Sequence, residues 1–199
     1  GDGDGSSWTK IDITTGADDA RSVYAADIDG DGDLDVLSAS EDDDTIAWYQ
    51  NGDGTGGDGD GSSWTEAEIT TGANRARGVF AADIDGDEDM DVLSAAFNDD
   101  TIAFYQNGDS TSGDGGGSDW TKTAITTEAD GARSVFAADI DGDGDLDVLS
   151  ASEFDNTIAF YQNGDGTSGD GDGSTWTETE IARSANAARS VFAADIDGD

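Results

Sequence analysis

The sequence predicts an all-β fold, a β-propeller built from four-stranded antiparallel blades. The first observation is a repeat of 56 residues, which separates the tryptophans at positions 8, 64, 120 and 176. The second is that each unit holds four short β-branched or aromatic runs divided by clusters of Gly, Asp, Asn and Ser, a strand-and-turn pattern. Repeats of roughly 20 to 50 residues or slightly more indicate solenoids, propellers or arrays, and four strands per unit favour a propeller blade.

The four strands of the first unit are predicted at residues 22–26, 35–40, 45–50 and 64–69. The first contains Ala25 and Ala26, and small residues suit an innermost strand where blades crowd toward an axis. The third places Trp48 and Tyr49 on successive positions, so one ring faces each neighbouring blade. We therefore expect the recurring aromatic residues to pack in the core.

The chain is read as a single repeat array over 1–199. Residues 1–20 supply the outer strand and loop of an incomplete first blade, with its strand at Trp8. Complete units span 21–76, 77–132 and 133–188, and 189–199 starts a truncated fourth repeat with a lone strand at 190–194. Closed propellers typically use 4 to 8 blades. We therefore expect an excised segment that belongs to a longer chain, associates with copies of itself, or stays an open arc.

A nine-residue acidic run follows the first strand of each unit. Its residues are Asp-Ile-Asp-Gly-Asp-Gly-Asp-Leu-Asp at 27–35, with close copies at 83–91 and 139–147 and a cut-off copy at 195–199. Acidic oxygens at loop positions 1, 3 and 5, with Gly at position 6 for a sharp turn, match the needs of Ca²⁺. An EF-hand would place Glu at position 12, but Ser38 stands there and the closing acid is Asp35 at position 9. The pattern predicts repeated Ca²⁺ loops of another kind.

This arrangement resembles the FG-GAP/VCBS repeat, whose best-known members are the calcium-binding propellers of integrin α-subunit heads. The resemblance is carried by 21–38 together with the strand at 45–51, and it extends over essentially the whole chain. It implies that positions 1, 3, 5 and 9 supply side-chain oxygens, that position 7 supplies its backbone carbonyl, and that the ion sits in the hairpin between the innermost and second strands. The candidate metal residues are Asp27, Asp29, Asp31, Asp33, Asp35, Asp83, Asp85, Asp87, Asp89, Asp91, Asp139, Asp141, Asp143, Asp145, Asp147, Asp195, Asp197 and Asp199.

One loop departs from this pattern. Glu88 stands at position 6 of the second loop, where the other full loops have Gly32 and Gly144. If that position requires a positive φ, Glu88 strains its loop and the second site is the weakest.

The charge balance limits the partners. The chain has 47 Asp and Glu against 8 Lys and Arg, a formal net charge of −39, which argues against nucleic acid and anionic membranes as partners. The surplus acid fits a high-salt environment, because cations would offset its self-repulsion. Calcium is plentiful outside cells, so we expect an extracellular or cell-surface protein. No apolar stretch approaches the roughly 20 residues needed to cross a bilayer.

Catalysis is not expected. The chain has no Cys and no His, and its Ser and Thr show no nucleophile-elbow pattern. Acids that recur in every unit are poor candidates for a single active site. The leading hypothesis is a calcium-binding structural or adhesive module that contacts other copies, further repeats, a glycan or a surface protein. The alternative is a lectin-like propeller with sugars between blades.

Two further motifs recur in every unit. The Gly- and Asp-rich stretch at 51–61 is interpreted as a flexible connection, with a second ion site as the alternative. A single arginine at positions 21, 77, 133 and 189 is interpreted as half of a structural ion pair within or between blades, with ligand binding as the alternative.

Overall fold

The computed structural model describes residues 9–57, 59–108, 113 and 115–196. These residues form strands and turns but no helix, so no helix is available there that could cross a membrane. The strands are β1 Ala20–Ala26, β2 Asp35–Ser40, β3 Thr45–Asn51, β4 Trp64–Thr70, β5 Ala76–Ala82, β6 Asp91–Ala96, β7 Thr101–Asn107, β8 Trp120–Thr126, β9 Ala132–Ala138, β10 Asp147–Ser152, β11 Thr157–Asn163 and β12 Trp176–Ala182.

The strands form three antiparallel four-stranded sheets, one from each full unit. Their orders are β1-β2-β3-β4, β5-β6-β7-β8 and β9-β10-β11-β12, so every connection is a hairpin between neighbours. In the first sheet Ala26 pairs with Asp35, Val36 with Tyr49, and Asn51 with Trp64. The four strands predicted for the first unit are confirmed to within two residues at each end.

Short turns join the second strand of each sheet to the third. Each of these turns contains one non-glycine residue with positive φ, namely Asp44 (60°), Asp100 (52°) or Asn156 (60°). Asp and Asn tolerate this conformation better than other residues, because their short polar side chains bond to nearby backbone. The turn chemistry therefore fixes the hairpin at the end of the sheet away from the acidic loops.

Two apolar cores hold the three sheets together. One core lies between the first and second sheets and contains Trp48 and Tyr105. The other lies between the second and third and contains Phe104 and Tyr161. Phe104 and Tyr105 thus face opposite neighbours, and all four rings are at least 96% buried. The prediction that the paired aromatics pack against both neighbouring blades is confirmed for these rings.

The strand predicted at 190–194 is absent, and this prediction was wrong. In the full units the equivalent strand bonds to the strand that follows the acidic loop, and none of the described strands takes that position beside 190–194. The segment still packs beside β9, since Val191 N–H donates to Ser134 Oγ (3.3 Å) and the rings of Phe136 and Phe192 lie 4.7 Å apart. The strand predicted at Trp8 lies outside the described residues, and residues 9–13 belong to no strand.

Candidate metal centre

The three acidic loops connect the first and second strands of each sheet. We call residues 27–35, 83–91 and 139–147 the first, second and third Asp loops. In each loop the acids at positions 1, 3 and 9 each bring a carboxylate oxygen within 4.8 Å of the others. The triads are Asp27, Asp29 and Asp35; Asp83, Asp85 and Asp91; and Asp139, Asp141 and Asp147. Such a convergence of like charges is unfavourable unless protons or a cation offset it.

Position 6 has the same conformation in all three loops. Its φ is 93° at Gly32, 77° at Glu88 and 100° at Gly144. The backbone N–H of this residue donates a hydrogen bond to the position 1 carboxylate. The bond from Gly32 N–H to Asp27 Oδ2 is 2.9 Å long, and the bond from Glu88 N–H to Asp83 Oδ2 is 3.0 Å long. The loop therefore requires a positive φ here, and Glu88 adopts a conformation that suits glycine.

The position 9 acids are the most deeply buried members of the triads. Asp35, Asp91 and Asp147 are at most 1% exposed. Burial raises the pKa of Asp91 to about 8, although its oxygens accept hydrogen bonds from Asn107 N–H (2.9 Å) and Ile84 N–H (2.9 Å). Burial likewise raises the pKa of Asp35 to about 6 and raises the pKa of Asp147. A cation would favour the charged form of these acids.

The acids at position 5 carry oxygens that lack a protein donor. One oxygen of Asp31 accepts Asp33 N–H (2.8 Å), while Asp31 Oδ2 is buried and has no hydrogen-bond partner among the described residues. Asp87 Oδ2 and Asp143 Oδ2 share this state, as does Asp27 Oδ1 at position 1. Burying a polar atom without a partner is costly. A cation among these oxygens would remove that cost.

The position 7 acids use their side chains differently. Asp33 Oδ2 accepts the N–H groups of Gly57 (2.8 Å) and Gly59 (2.9 Å), which belong to the Gly-rich stretch. Asp145 Oδ2 does the same for Gly169 (2.9 Å) and Gly171 (3.0 Å). These bonds tie the described part of the stretch to the Asp loop, a contact that the sequence did not predict. They engage one carboxylate oxygen of Asp33 and Asp145, so the backbone carbonyl and the second carboxylate oxygen are the atoms that these residues could offer an ion.

A fourth group of acids lies beside the third loop. Asp143, Asp145 and Asp170 have carboxylate oxygens within 4.8 Å of one another. Asp170 comes from the Gly-rich stretch, whereas the other two are positions 5 and 7 of the third Asp loop. The group is therefore an extension of the loop site toward that stretch.

Sequence reasoning missed two positions of the repeat that orient the loops, the Gln and the Asn at the end of the third strand. Gln50 Nε2 donates a hydrogen bond to Asp29 Oδ2, and Gln106 Nε2 donates one to Asp85 Oδ2; each bond is 2.6 Å long. Asn107 Nδ2 donates to Met90 O (3.2 Å) of its own blade and to Ile28 O (3.0 Å) of the preceding blade. The signal was available, because Gln and Asn end the third strand of every unit at a fixed distance from the loop.

The recurring arginines lie at the other end of the inner strands and form ion pairs, as predicted. Arg77 Nη2 donates to Glu41 Oε1 (2.6 Å) of the preceding blade, and Arg21 Nε pairs with Glu41 Oε2 (2.5 Å). Arg133 pairs with Glu153, and Arg189 Nη2 also lies 3.4 Å from Glu153 Oε1. These pairs join blades at the end remote from the Asp loops, so the side chains of these arginines do not neutralise the acidic triads.

The cut-off fourth loop is described only at its beginning. Asp195 is exposed. Asp197 and Asp199, the other metal residues predicted there, lie outside the described residues.

Comparison with known families agrees with this geometry. A family model described as an FG-GAP-like repeat matches residues 1–38, 27–94, 89–150 and 139–199, which together span the sequence. The chain therefore belongs to the FG-GAP-like repeat family. No match was found among curated proteins. Repeats of this family suggest a structural repeat module and are typical of extracellular or surface proteins, and the acidic clusters of this chain could bind a metal.

Proposed function

We propose that this chain of FG-GAP-like repeats is a calcium-binding structural module, built as consecutive propeller blades of an exported or cell-surface protein. The observation that carries the proposal is the acidic triad in the same hairpin of each sheet, within 4.8 Å and with buried oxygens that lack a donor. Each ion would close the loop that joins the two inner strands of its blade.

The donor set favours Ca²⁺ over other common ions. All candidate ligands are oxygens, and the chain contains no Cys or His to attract Zn²⁺ or copper. Each loop offers several carboxylates together with a carbonyl, which suits the six to eight oxygens that Ca²⁺ collects. Mg²⁺ demands a stricter octahedron and keeps several waters, so a crowded loop of carboxylates serves it less well.

Binding would couple directly to stability. The position 9 acid of the first loop, Asp35, is buried and accepts the backbone N–H groups of Ile28 in its own loop and of Asn51 at the end of β3. A cation that keeps this acid charged therefore stabilises the Asp loop and the end of the third strand together. An ion bound only by the native state adds about 2.7 kcal/mol per site at a hundredfold excess over Kd.

Export and adhesion are further parts of the proposal. Sites of the weak extracellular class fill at the millimolar calcium found outside cells. The partners would be other copies of this chain or further repeats of a longer chain, which would cover the exposed side chains of Val23 and Phe192 on the outer faces of the array. The 56-residue unit would then be one blade of the completed propeller.

The lectin alternative gains less support. Two clefts of about 240 and 370 Å³ lie between successive Asp loops. The described residues that line them are Asp, Glu, Gly, Ile and Leu, without an aromatic ring on which a sugar could stack. The interblade rings of Trp48, Phe104 and Tyr105 are buried in the cores.

Thermal unfolding at matched ionic strength tests the proposal. The protein would be melted in chelator, in millimolar CaCl₂ and in the same concentration of MgCl₂. We expect calcium to raise the Tm strongly and magnesium to raise it little. Equal Tm values in chelator and calcium would show that the Asp loops are polar turns without an ion.

A further inference from the structure

The feature that the proposed function leaves unexplained is a cluster of arginines at the end of the inner strands remote from the Asp loops. We define the arginine cluster as Arg21, Arg75, Arg77, Arg133 and Arg189, which are five of the eight basic residues of the chain. Their acidic partners are Glu41, Glu153 and Asp19. The five arginines of the cluster thus outnumber their three acidic partners, although the protein as a whole carries a net charge of −39.

The cluster follows a rule that the middle blade breaks. In the first and third units, a glutamate directly after the second strand joins the arginine of its own blade to that of the next blade: Glu41 for Arg21 and Arg77, and Glu153 for Arg133 and Arg189. The equivalent residue of the middle unit is Phe97, 6% exposed. The carboxylate that would join Arg77 to Arg133 is therefore missing.

The phenylalanine replaces the carboxylate only in part. The guanidinium carbon of Arg77 lies 3.6 Å from the centre of the Phe97 ring, and that of Arg133 lies 5.0 Å away. A ring face attracts cations but accepts no strong hydrogen bond. The Arg77 side chain is 9% exposed, and its Nε and Nη1 have no acceptor among the described residues. A nearly buried guanidinium thus keeps donors for an acceptor that the fold does not supply.

The charges around Arg133 also favour an added anion. Burial and the charges of Arg77, Arg189, Arg21 and Arg75 lower the pKa of Arg133 to about 10. The Arg133 side chain is 22% exposed and that of Arg189 is 66% exposed, so solutes can reach this part of the cluster. The edge of an aromatic ring carries partial positive charge, and the Phe97 edge would therefore also tolerate an anion.

We propose that the Arg77, Phe97 and Arg133 group is a docking site for a single acidic side chain of a partner protein. The expected ligand is a glutamate-like carboxylate, because that is the group the fold itself places at this position in the other two units. A carboxylate held by a guanidinium forms charge-assisted hydrogen bonds, which are stronger than neutral ones. Polyanions are disfavoured, because the neighbouring turns carry the carboxylates of Asp43, Asp99 and Asp155.

The test uses the full chain in saturating calcium, so that it is independent of the metal proposal. The probe is N-acetylglutamate α-amide, with the neutral N-acetylglutamine α-amide as its matched control at constant ionic strength. The readout is the NMR signal of each arginine Nε–Hε group. We expect a saturable shift for Arg77 and Arg133 with the charged probe alone, and no shift for Arg183, which pairs with Glu180 elsewhere.

Three variants complete the test. Phe97→Glu restores the internal carboxylate and should weaken probe binding by about tenfold or more. Arg183→Gln, which removes a basic residue outside the arginine cluster, is the control and should keep it. If Phe97→Glu fails to fold, Arg133→Gln should give the same loss in a folded protein. Shifts that grow linearly without saturation, equal shifts with the neutral probe, or unchanged binding in both Phe97→Glu and Arg133→Gln would overturn the proposal.

Discussion

Replacement of Glu88 by glycine should strengthen the calcium site of the second Asp loop. Glu88 holds a φ of 77°. For a residue with a Cβ, a left-handed conformation costs roughly 1 to 2 kcal/mol relative to the right-handed one. Glycine avoids this cost, although it loses more backbone entropy when the loop is ordered, by roughly 0.5 to 1 kcal/mol relative to alanine. The net gain should be of the order of 1 kcal/mol, or about fivefold in Kd.

The gain appears as affinity only if the metal-free loop relaxes. When the loop keeps its φ of 77° without the ion, the strain is the same in both states and cancels from the Kd. The hydrogen bond from Glu88 N–H to Asp83 Oδ2 (3.0 Å) ties the strained residue to a position 1 acid. Repulsion among metal-free carboxylates should loosen this acid and release the strain, so that binding must restore it.

A matched variant separates strain from charge. Glu88→Gly removes both the Cβ and a negative charge, whereas Glu88→Ala removes the charge and keeps the strained Cβ. Loss of charge alone should weaken calcium binding, because the field at the loop becomes less negative. We therefore expect Kd to rise in the order Gly, Glu, Ala in a calorimetric titration. A Glu88→Gly site no tighter than the native one would refute the reasoning from strain.

Three other predictions follow from the contacts of the loops and the ion pairs. Because burial lifts the pKa of Asp91 to about 8 from its usual 3.8, the native state holds a proton that the unfolded chain releases. In chelator, stability should therefore fall as pH rises from about 4 to 8; Asp91→Asn should flatten this dependence, and an unchanged slope would contradict it. In Asp145→Ala, the amide hydrogen of Gly169 should exchange with solvent at least about tenfold faster, because the variant removes the carboxylate oxygen that accepts it over a distance of 2.9 Å. An unchanged exchange rate would show that other contacts hold the Gly-rich stretch in place. Glu41→Gln should lower the free energy of unfolding in urea by about 3 to 5 kcal/mol, because it leaves a buried arginine without its carboxylate. Glu153→Gln should lower it by less, since the Glu153 side chain is 15% exposed whereas that of Glu41 is buried. Equal losses of stability in the two variants would argue against burial as the cause.

The local parts of the fold and of the candidate metal centre were predictable from the sequence. Strands such as β2 and β3 are short runs of β-branched and aromatic residues between turn residues, and their limits depend on neighbours in the chain. The acids that converge at Asp27, Asp29 and Asp35 lie within nine residues, so the loop alone brings them together. The need for positive φ at position 6 was also visible, because Gly32 and Gly144 stand where Glu88 breaks the pattern.

Only the tertiary structure decided which distant groups complete these local elements. Asn107 bonds to Ile28 O across 79 positions, and Arg77 pairs with Glu41 across 36. The prediction of a strand at 190–194 was wrong for the same reason, because β propensity alone does not make a strand and no described strand pairs with this segment. The Phe97 ring between two arginines likewise depends on how adjacent blades meet. The repeated sequence determines which residues every unit contains. The packing of one unit against the next determines which carboxylates and guanidinium groups form pairs, because such contacts depend on distance in space and on burial.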